Sequence, residues 1–409
     1  MKLMILGAAY AQLNAIKRAK SDGLTVLVTD YLEDSIGKKH ADEHELASTF
    51  DAEVTLEVAR KHQINGIMTT GTDQPVLTVT KVAHALELPA FLSIQTAYAV
   101  TNKRAMKQIF THKGIPTADY RIIRSNFLDE ELAGLNFPVV VKPLDSQGQR
   151  GIFKLYTAEA VRRYFNEVLA HSREEEILVE AYYENDEITI SGWVKEGKAK
   201  ILTVTDRVTF QEEGKIGICL SHEFPSKHLN NHREEIKALT NQIVEAFNIN
   251  EGPIYFQMFV GKEGIKVNEI ACRIGGAYED EVIPLLTGVD ILKMTIDFSL
   301  GKVYANESYE LYNLDQNKCY ASIQLFFLRE GKITQMPLEE DLKLIEGVYN
   351  IRYHYKLFDE VKAIHNATSR AGYAIIIGGS QEQLDNNKSM FYYKMKVLDE
   401  NGYNMVIHS

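Results

Sequence analysis

The sequence predicts an α/β amino-terminal part followed by an α+β remainder. Three observations predict it: short apolar runs alternate with helical patterns over the first hundred residues, the texture changes near Thr101, and the chain turns strand-rich from about Glu310. Lys2 to Leu6 reads as a buried strand, Ala11 to Asp22 as a helix and Thr25 to Thr29 as a second strand. Val54 to His62 and Pro75 to Leu86 carry helical spacing around a strand at Gly66 to Thr70. Alternation at this spacing implies parallel strand–helix–strand units. The first turn, Gly7-Ala8-Ala9-Tyr10-Ala11-Gln12, holds a single glycine. A dinucleotide fingerprint needs three, so the turn argues against a nicotinamide cofactor despite Asp30 at the end of the second strand.

After Thr101, Asn102-Lys103 opens a helix running from Arg104 to His112, which Gly114 and Pro116 stop. Phe137 to Pro143 reads as a short buried strand, Asp145 to Gly151 as a polar loop and Ile177 to Glu180 as another strand. Ile188 to Val194 and Ala199 to Arg207 suit antiparallel strands about Glu196-Gly197. A helix spans Arg233 to Phe247, and Ile254 to Val260 with Ile265 to Ile270 makes a hairpin. In the last hundred residues Ala321 to Arg329, Tyr349 to Tyr355 and Tyr373 to Ile377 are the expected strands.

The 409 residues carry a net charge of −11. Nucleic-acid phosphates demand a basic face, so nucleic acid is an unsuitable partner. No apolar run reaches the roughly 18 residues of a membrane span. The apolar start is followed at once by Gln12, Asn14, Lys17 and Arg18, which suits a first strand better than a leader peptide. The three cysteines, Cys219, Cys272 and Cys319, are far apart and form no CxxC pair. That reads as reduced thiols in a cytoplasmic protein.

Four features carry chemistry. Lys142 closes a buried strand, where an ammonium can hold phosphate as a point charge, although alone it would pass for a solvated lysine. The loop Asp145-Ser146-Gln147-Gly148-Gln149-Arg150-Gly151 has the small residues that let backbone N–H groups turn toward phosphates. Glu180-Ala181-Tyr182 ends a strand whose free backbone groups can meet a base edge, and Glu187 follows as a candidate ribose acceptor. The fourth is the most specific. Gln257 and Glu269 lie on paired strands, followed by Arg273-Ile274-Gly275-Gly276. Glu269 sits in the run Lys266-Val267-Asn268-Glu269-Ile270-Ala271, where a buried acid requires a partner or a metal. Hard oxygens of this kind suit Mg2+.

This order of lysine, glycine loop, strand-end glutamate, second glutamate and Glu-x-x-x-Arg strand resembles the ATP-grasp superfamily over nearly the whole chain. It is most similar to the carboxylate–amine ligase branch with L-amino acid ligases, biotin carboxylase, glycinamide ribonucleotide synthetase and carbamoyl phosphate synthetase. The resemblance implies a parallel-sheet domain at 1–100, an ATP-grasp domain at 101–305 with a lid at about 116–180, and a strand-rich region at 306–409 completing the catalytic domain. It assigns ATP to Lys103, Lys142, Ser146, Gln147, Gly148, Gly151, Glu180, Ala181, Tyr182 and Glu187, and Mg2+ (or Mn2+) to Gln257 and Glu269. Arg273 and Lys142 become the catalytic pair. Two departures stand out: many members have Glu where Gln257 stands, and Asn where this chain has Ala271.

The implied reaction makes an acyl phosphate from ATP and a small carboxylate, then passes the acyl group to an amine, with the lid excluding water. An amino acid is the first-choice substrate. A glycinamide ribonucleotide synthetase-like ligase and a non-catalytic ATP-binding protein are the alternatives. Arg207, His222 and His228 are candidates for a substrate carboxylate or phosphate. Gly275, Gly276, Glu279 and Glu281 are candidates near its ammonium, although acids there equally suit a helix start. A homodimer is the ordinary outcome for such an enzyme.

Overall fold

Lys2–Leu6 and Thr25–Asp30 are buried at every position but their first and carry apolar runs at their centres, as suits strands covered on both faces. In the computed structural model they form a parallel sheet in the order Glu43–Leu46, Thr25–Asp30, Lys2–Leu6, Gly66–Met68. The structure describes residues 1–409 except 211, 213, 214, 305, 306, 317, 318 and 409. Helices Tyr10–Ser21, Ala52–His62 and Pro75–Ala85 cover the sheet. Glu43–Leu46 was not among the expected strands. Its sequence, Glu-His-Glu-Leu, has no apolar run, because it is an edge with alternate residues in solvent.

Helices Ile94–Thr101 and Lys103–His112 lead out of this layer. Asn102 caps the second, its side-chain oxygen accepting from the Ala105 N–H at 3.2 Å. A separate antiparallel sheet follows, in the order Tyr120–Ile123, Ile177–Ala181, Val139–Pro143, Phe153–Leu155. Helix Ala158–Leu169 closes one face of it with Val161, Phe165 and Val168.

The body of the molecule is an antiparallel sheet with, among the described residues, eight strands. Their order is Gly264–Ala271, Gly252–Gly261, Asp186–Lys195, Lys198–Thr209, Cys219–Phe224, Tyr320–Gln324, Gly372–Gly378, Val348–Tyr353. Helix Leu229–Ala246 packs Ile236, Ile243 and Val244 into the same core as Ile188, Phe256 and Ile270. The parallel sheet shares a second core with helices Glu279–Thr287 and Ile291–Ser299, through Leu3, Ile5, Ile283 and Met294. The amino-terminal layer is thereby fixed to the two helices that follow the strand carrying Glu269.

Two expectations for the carboxy-terminal part change. Ala321 to Arg329 is not one strand: Tyr320–Gln324 belongs to the central sheet, and Phe327–Leu328 pairs with Val406–Ile407. Helix Gln381–Lys394 was not foreseen, because it buries only Leu384, Asn387 and Phe391 and shows no apolar stripe. The expected boundary at 305/306 lies outside the described residues. Among the described residues no helix is long and apolar enough to cross a membrane.

Phe256 lies at the centre of the strand carrying Gln257 and is fully buried. Phe256→Ala is expected to cost about 3–5 kcal/mol through the cavity it leaves. A drop in the urea unfolding midpoint measures this; an unchanged midpoint would show that the strand is not part of the cooperative core.

Candidate active site

The lid sheet, the central sheet and the first turn of the parallel layer enclose a cleft of about 1300 Å³. That is above the 300–1,000 Å³ typical of a site for one small ligand, so the cleft has room for a nucleotide and substrates together. One wall comes from the lid residues Lys142 to Arg150 and Glu180 to Tyr183. Another comes from Arg207, His222, Tyr255, Gln257, Glu269 and Arg273 on or beside the central sheet.

The cleft floor alternates cations and carboxylates. Lys103 and Lys107 lie one helical turn apart and so share a face. Lys107 is only 2% exposed and pairs with Glu180. Its ammonium also donates to Thr117 Oγ1 at 2.5 Å. Lys142, projecting from the lid strand, reaches the other Glu180 oxygen at 2.5 Å and Asn268 Oδ1 at 2.9 Å. Lys103 Nζ lies 3.2 Å from Glu269 and donates to the Ser146 carbonyl at 2.8 Å. Burial alone would raise the Glu180 carboxyl, but Lys107 and Lys142 outweigh it and hold it at about 2. Burial likewise opposes the Glu269 charge, and Lys103 with Lys142 keeps its carboxyl below the ordinary range.

Gln257 and Glu269 stand opposite each other in the register of the hairpin, as their expected pairing requires. The register slips between Gln257 and Met258, so that Asn268 is the extra residue of a bulge. A bulge re-aims a side chain, and Asn268 reaches both Lys142 and Gln257, the latter at 3.5 Å. Asn268 was missed because strict alternation would turn it away from Glu269. Gln257, Asn268 and Glu269 together offer hard oxygens of one negative charge. That set fits a Mg2+ ion which takes one or two protein groups and completes its shell with phosphate oxygens.

Arg273 leaves this strand, pairs with Asp73 at 2.5 Å and lies over the Tyr255 ring. Asp73 comes from the parallel layer, so that layer holds the arginine in place. The glycine loop makes the same connection. Gln147 Oε1 accepts from the Asp73 and Gln74 N–H groups at 2.6 and 3.1 Å, and the Gly148 carbonyl accepts from Ala367 N–H at 3.2 Å. At Gly151 a Cβ would meet the His171 ring at 2.8 Å, so a larger residue would push the loop away. Ala181 and Tyr182 donate their N–H groups to Asp119 and Pro138 at 2.8 and 2.9 Å, leaving carbonyls for any base edge.

Other expected site residues are turned elsewhere. Glu180 points its carboxylate at two lysines rather than at a base. Glu187 forms an ion pair with Arg207, whose other nitrogen donates to the Gly217 carbonyl at 2.6 Å. His222 is 3% exposed and bonds through Nδ1 to Thr189 and Thr205 at 3.2 and 3.1 Å. Burial, with Arg207 and Arg370 nearby, puts its pKa well below the ordinary value, so it is a neutral core histidine. Glu279 is occupied by the Ser191 hydroxyl at 2.8 Å and the Gly275 N–H at 3.0 Å, and is not free for an ammonium. A Cβ on Gly275 would strike that carboxylate, and one on Gly276 would meet the Gly71 carbonyl at 2.6 Å. Both glycines serve close packing. His228 pairs with Asp186, and Glu281 accepts from Asn14, Asn350 and Tyr373.

Glu180→Gln would leave the buried Lys107 without its carboxylate, an expected loss of about 3–5 kcal/mol. The wild-type carboxyl moves down, from an ordinary 4.5 to about 2. A depressed pKa contributes stability that is complete above pH 4.5 and is lost as pH falls toward 2. Acid titration of the melting temperature should therefore fall more steeply across that window in the wild type than in Glu180→Gln. Parallel curves would remove Glu180 as the cause.

Comparison with known proteins agrees with this geometry. Residues 135–281 match the ATP-grasp domain family. Dapdiamide A synthase of Enterobacter agglomerans is 23% identical over 335 residues, covering 80% of this chain and 78% of its own. An L-arginine-specific L-amino acid ligase of Bacillus subtilis is 24% identical over 321 residues, covering 75% and 73%. Among solved structures, an L-amino acid ligase from Bacillus licheniformis superposes with a TM-score of 0.83 at 17% identity, covering 98% of this chain and 99% of that one. A phosphoribosylglycinamide synthetase from Anaerococcus prevotii gives 0.76 at 17% identity, with the same coverage. Residues 135–281 thus carry an ATP-grasp domain, and the chain has the fold of the ATP-grasp ligases to which it is similar over most of its length.

Proposed function

We propose that this protein uses ATP and Mg2+ (or Mn2+) to activate an amino acid or similar small carboxylate as an acyl phosphate and joins it to an amine, releasing ADP and phosphate. The observation that carries the reading is the array in which Lys103 and Lys142 alternate with Glu180 and Glu269, beside Gln257 and Arg273, in one cleft, with Lys107 buried behind Glu180. The likeness to amino acid ligases supports the substrate class.

Phosphoryl transfer asks little covalent work of the protein, so positioning and charge do most of it. Lys103 and Lys142 bring positive charge to the phosphates, and Glu180 with Lys107 fixes where Lys142 points. The loop Ser146 to Gly151 supplies backbone N–H groups above them. Gln257, Asn268 and Glu269 would hold the metal ion, which neutralises phosphate charge when bound. Arg273, fixed by Asp73, stabilises the oxygens of the transferred group and then the tetrahedral carbon formed when the amine attacks. That attack forms the C–N bond, breaks the acyl–phosphate bond, and releases phosphate and the amine proton. Water would compete with the amine, and the lid held down by Gln147 and Gly148 excludes it.

Phosphate release from Mg-ATP across a matrix of amino acids, singly and in pairs, tests the reading. Release should depend on a particular pair and vanish in Glu269→Ala. Arg273→Ala should lower kcat by about 10²–10³. No release above the Glu269→Ala background for any pair, despite ATP binding, would overturn an amino acid ligase. Gln257→Glu adds a second carboxylate to the metal site, so the Mg2+ concentration for half-maximal rate should fall. An unchanged Mg2+ dependence would place the metal away from Gln257.

A further inference from the structure

Five guanidinium groups line the cleft: Arg150, Arg173, Arg207, Arg273 and Arg370. Three are neutralised by the protein itself, Arg173 by Asp145, Arg207 by Glu187 and Arg273 by Asp73, and Arg150 stands exposed on the glycine loop. Among the described residues Arg370 has no carboxylate in ion-pair range. Its Nη1 donates to the Gly276 carbonyl at 3.3 Å, and its Nε is buried with no hydrogen-bond partner. A buried donor left unpaired on a cation costs free energy unless a ligand supplies the acceptor.

Arg352 brings a second guanidinium to within 5.9 Å of the Tyr373 ring centre, and otherwise the surroundings of Arg370 are aromatic. Its guanidinium lies 5.9 Å from the Tyr278 ring centre. Tyr278 stacks on Tyr373 with centres 3.4 Å apart, and its hydroxyl meets His354 Nε2 at 2.9 Å. Tyr10 stacks on His354 at 3.9 Å. Burial, with Arg370 beside it, holds His354 at about 3, and burial pushes Tyr278 up to about 12, so neither is charged at neutral pH. Tyr278 also adopts a left-handed backbone with φ of 57°. A bulky residue there is strained and is kept only where its surroundings fix it, which is common beside ligands. The contacts of Arg370 are Gly276 and Tyr278, whereas the lysines expected at the triphosphate gather on Glu180 and Glu269.

We propose that Arg370 binds the carboxylate of the amine substrate, so that the acceptor is an α-amino acid rather than a simple amine. This rests on the ligase reading above. The carboxylate completes the guanidinium's hydrogen bonds, and the Tyr10–His354 and Tyr278 rings flank the rest of the acceptor. The pairing brings the amino group toward Arg273, where the acyl carbon is attacked.

The test uses the full-length enzyme and separates the two half-reactions. Hydroxylamine captures an activated acyl group without needing a carboxylate of its own, so a hydroxylamine screen first identifies the activated acid. With that acid fixed, amino acids and their carboxamides are compared as acceptors in wild type, Arg370→Gln and Arg370→Lys. The wild type should prefer the acid over the carboxamide by about 10- to 100-fold in KM, the range of a charge-assisted pair. Arg370→Gln should erase that preference by raising KM for the acid, with kcat changed far less. Arg370→Lys should restore part of it. Equal use of acid and carboxamide by the wild type overturns the proposal. So does a preference that survives in Arg370→Gln. If Arg370→Gln loses the hydroxylamine reaction while keeping the wild-type melting temperature, Arg370 serves the phosphoryl group and the proposal fails. Absence of hydroxylamine-dependent ADP formation in the wild type would instead defeat the ligase reading itself.

Discussion

The cleft depends on one buried carboxylate. Glu180 stands between Lys107 and Lys142, and the three come from three different elements: a lid strand, the helix leading out of the parallel layer, and the neighbouring lid strand. An isolated charge in that position would be prohibitive, and one lysine would leave an oxygen unpaired. Two lysines satisfy both oxygens, and in return Glu180 fixes where both ammonium groups lie. Lys142 is thereby held within reach of Asn268 at the bulge of the hairpin. Arrangement of the lid relative to the central sheet follows from this ion pair more than from apolar contact, since the lid has its own small core.

The same economy explains how the amino-terminal layer takes part in a site whose chemistry lies elsewhere. Asp73 neutralises Arg273, and the backbone beside Asp73 anchors the glycine loop through Gln147. Close approach of Gly71 to Gly276 makes this possible, because a Cβ on Gly276 would lie 2.6 Å from the Gly71 carbonyl. The paired glycines read in the sequence as substrate candidates are therefore docking residues. They let one layer deliver a counter-charge to the arginine of another.

Much of this was legible in the sequence where local rules decide. Buried strands such as Lys2–Leu6 announce themselves by apolar runs, the Gln257–Glu269 pairing follows from hairpin geometry, and Asn102 marks a helix start. What was not legible depends on long-range contact. Lys107 looks like a surface lysine until the lid brings Glu180 to it, although its spacing of four from Lys103 was a usable sign. Asn268 is turned toward the site by a bulge, which breaks the alternation on which strand reading rests. His222 and Glu279 looked available because their partners Thr189, Thr205 and Ser191 lie on other strands, between 17 and 88 residues away. The edge strand Glu43–Leu46 and helix Gln381–Lys394 bury too little apolar surface to leave a pattern.

Charge balance along the cleft divides it into two regions. Toward the lysines nearly every cation already has a protein anion: Lys107 and Lys142 share Glu180, Lys103 has Glu269, Arg273 has Asp73 and Arg207 has Glu187. A highly charged phosphate chain with its metal can enter there by exchanging partners, and the protein keeps the lysines in place in either state. Arg370 differs because its wall of Tyr10, His354 and Tyr278 holds no anion to exchange. A site built for one small anion gains most when that anion alone completes it, since nothing must be displaced first. The contrast is between an exchangeable array suited to a polyanion and, at Arg370, an unfilled guanidinium suited to one carboxylate. Under the proposed assignment, phosphoryl transfer falls to the lysine array and acceptor recognition to Arg370, with Arg273 serving both steps.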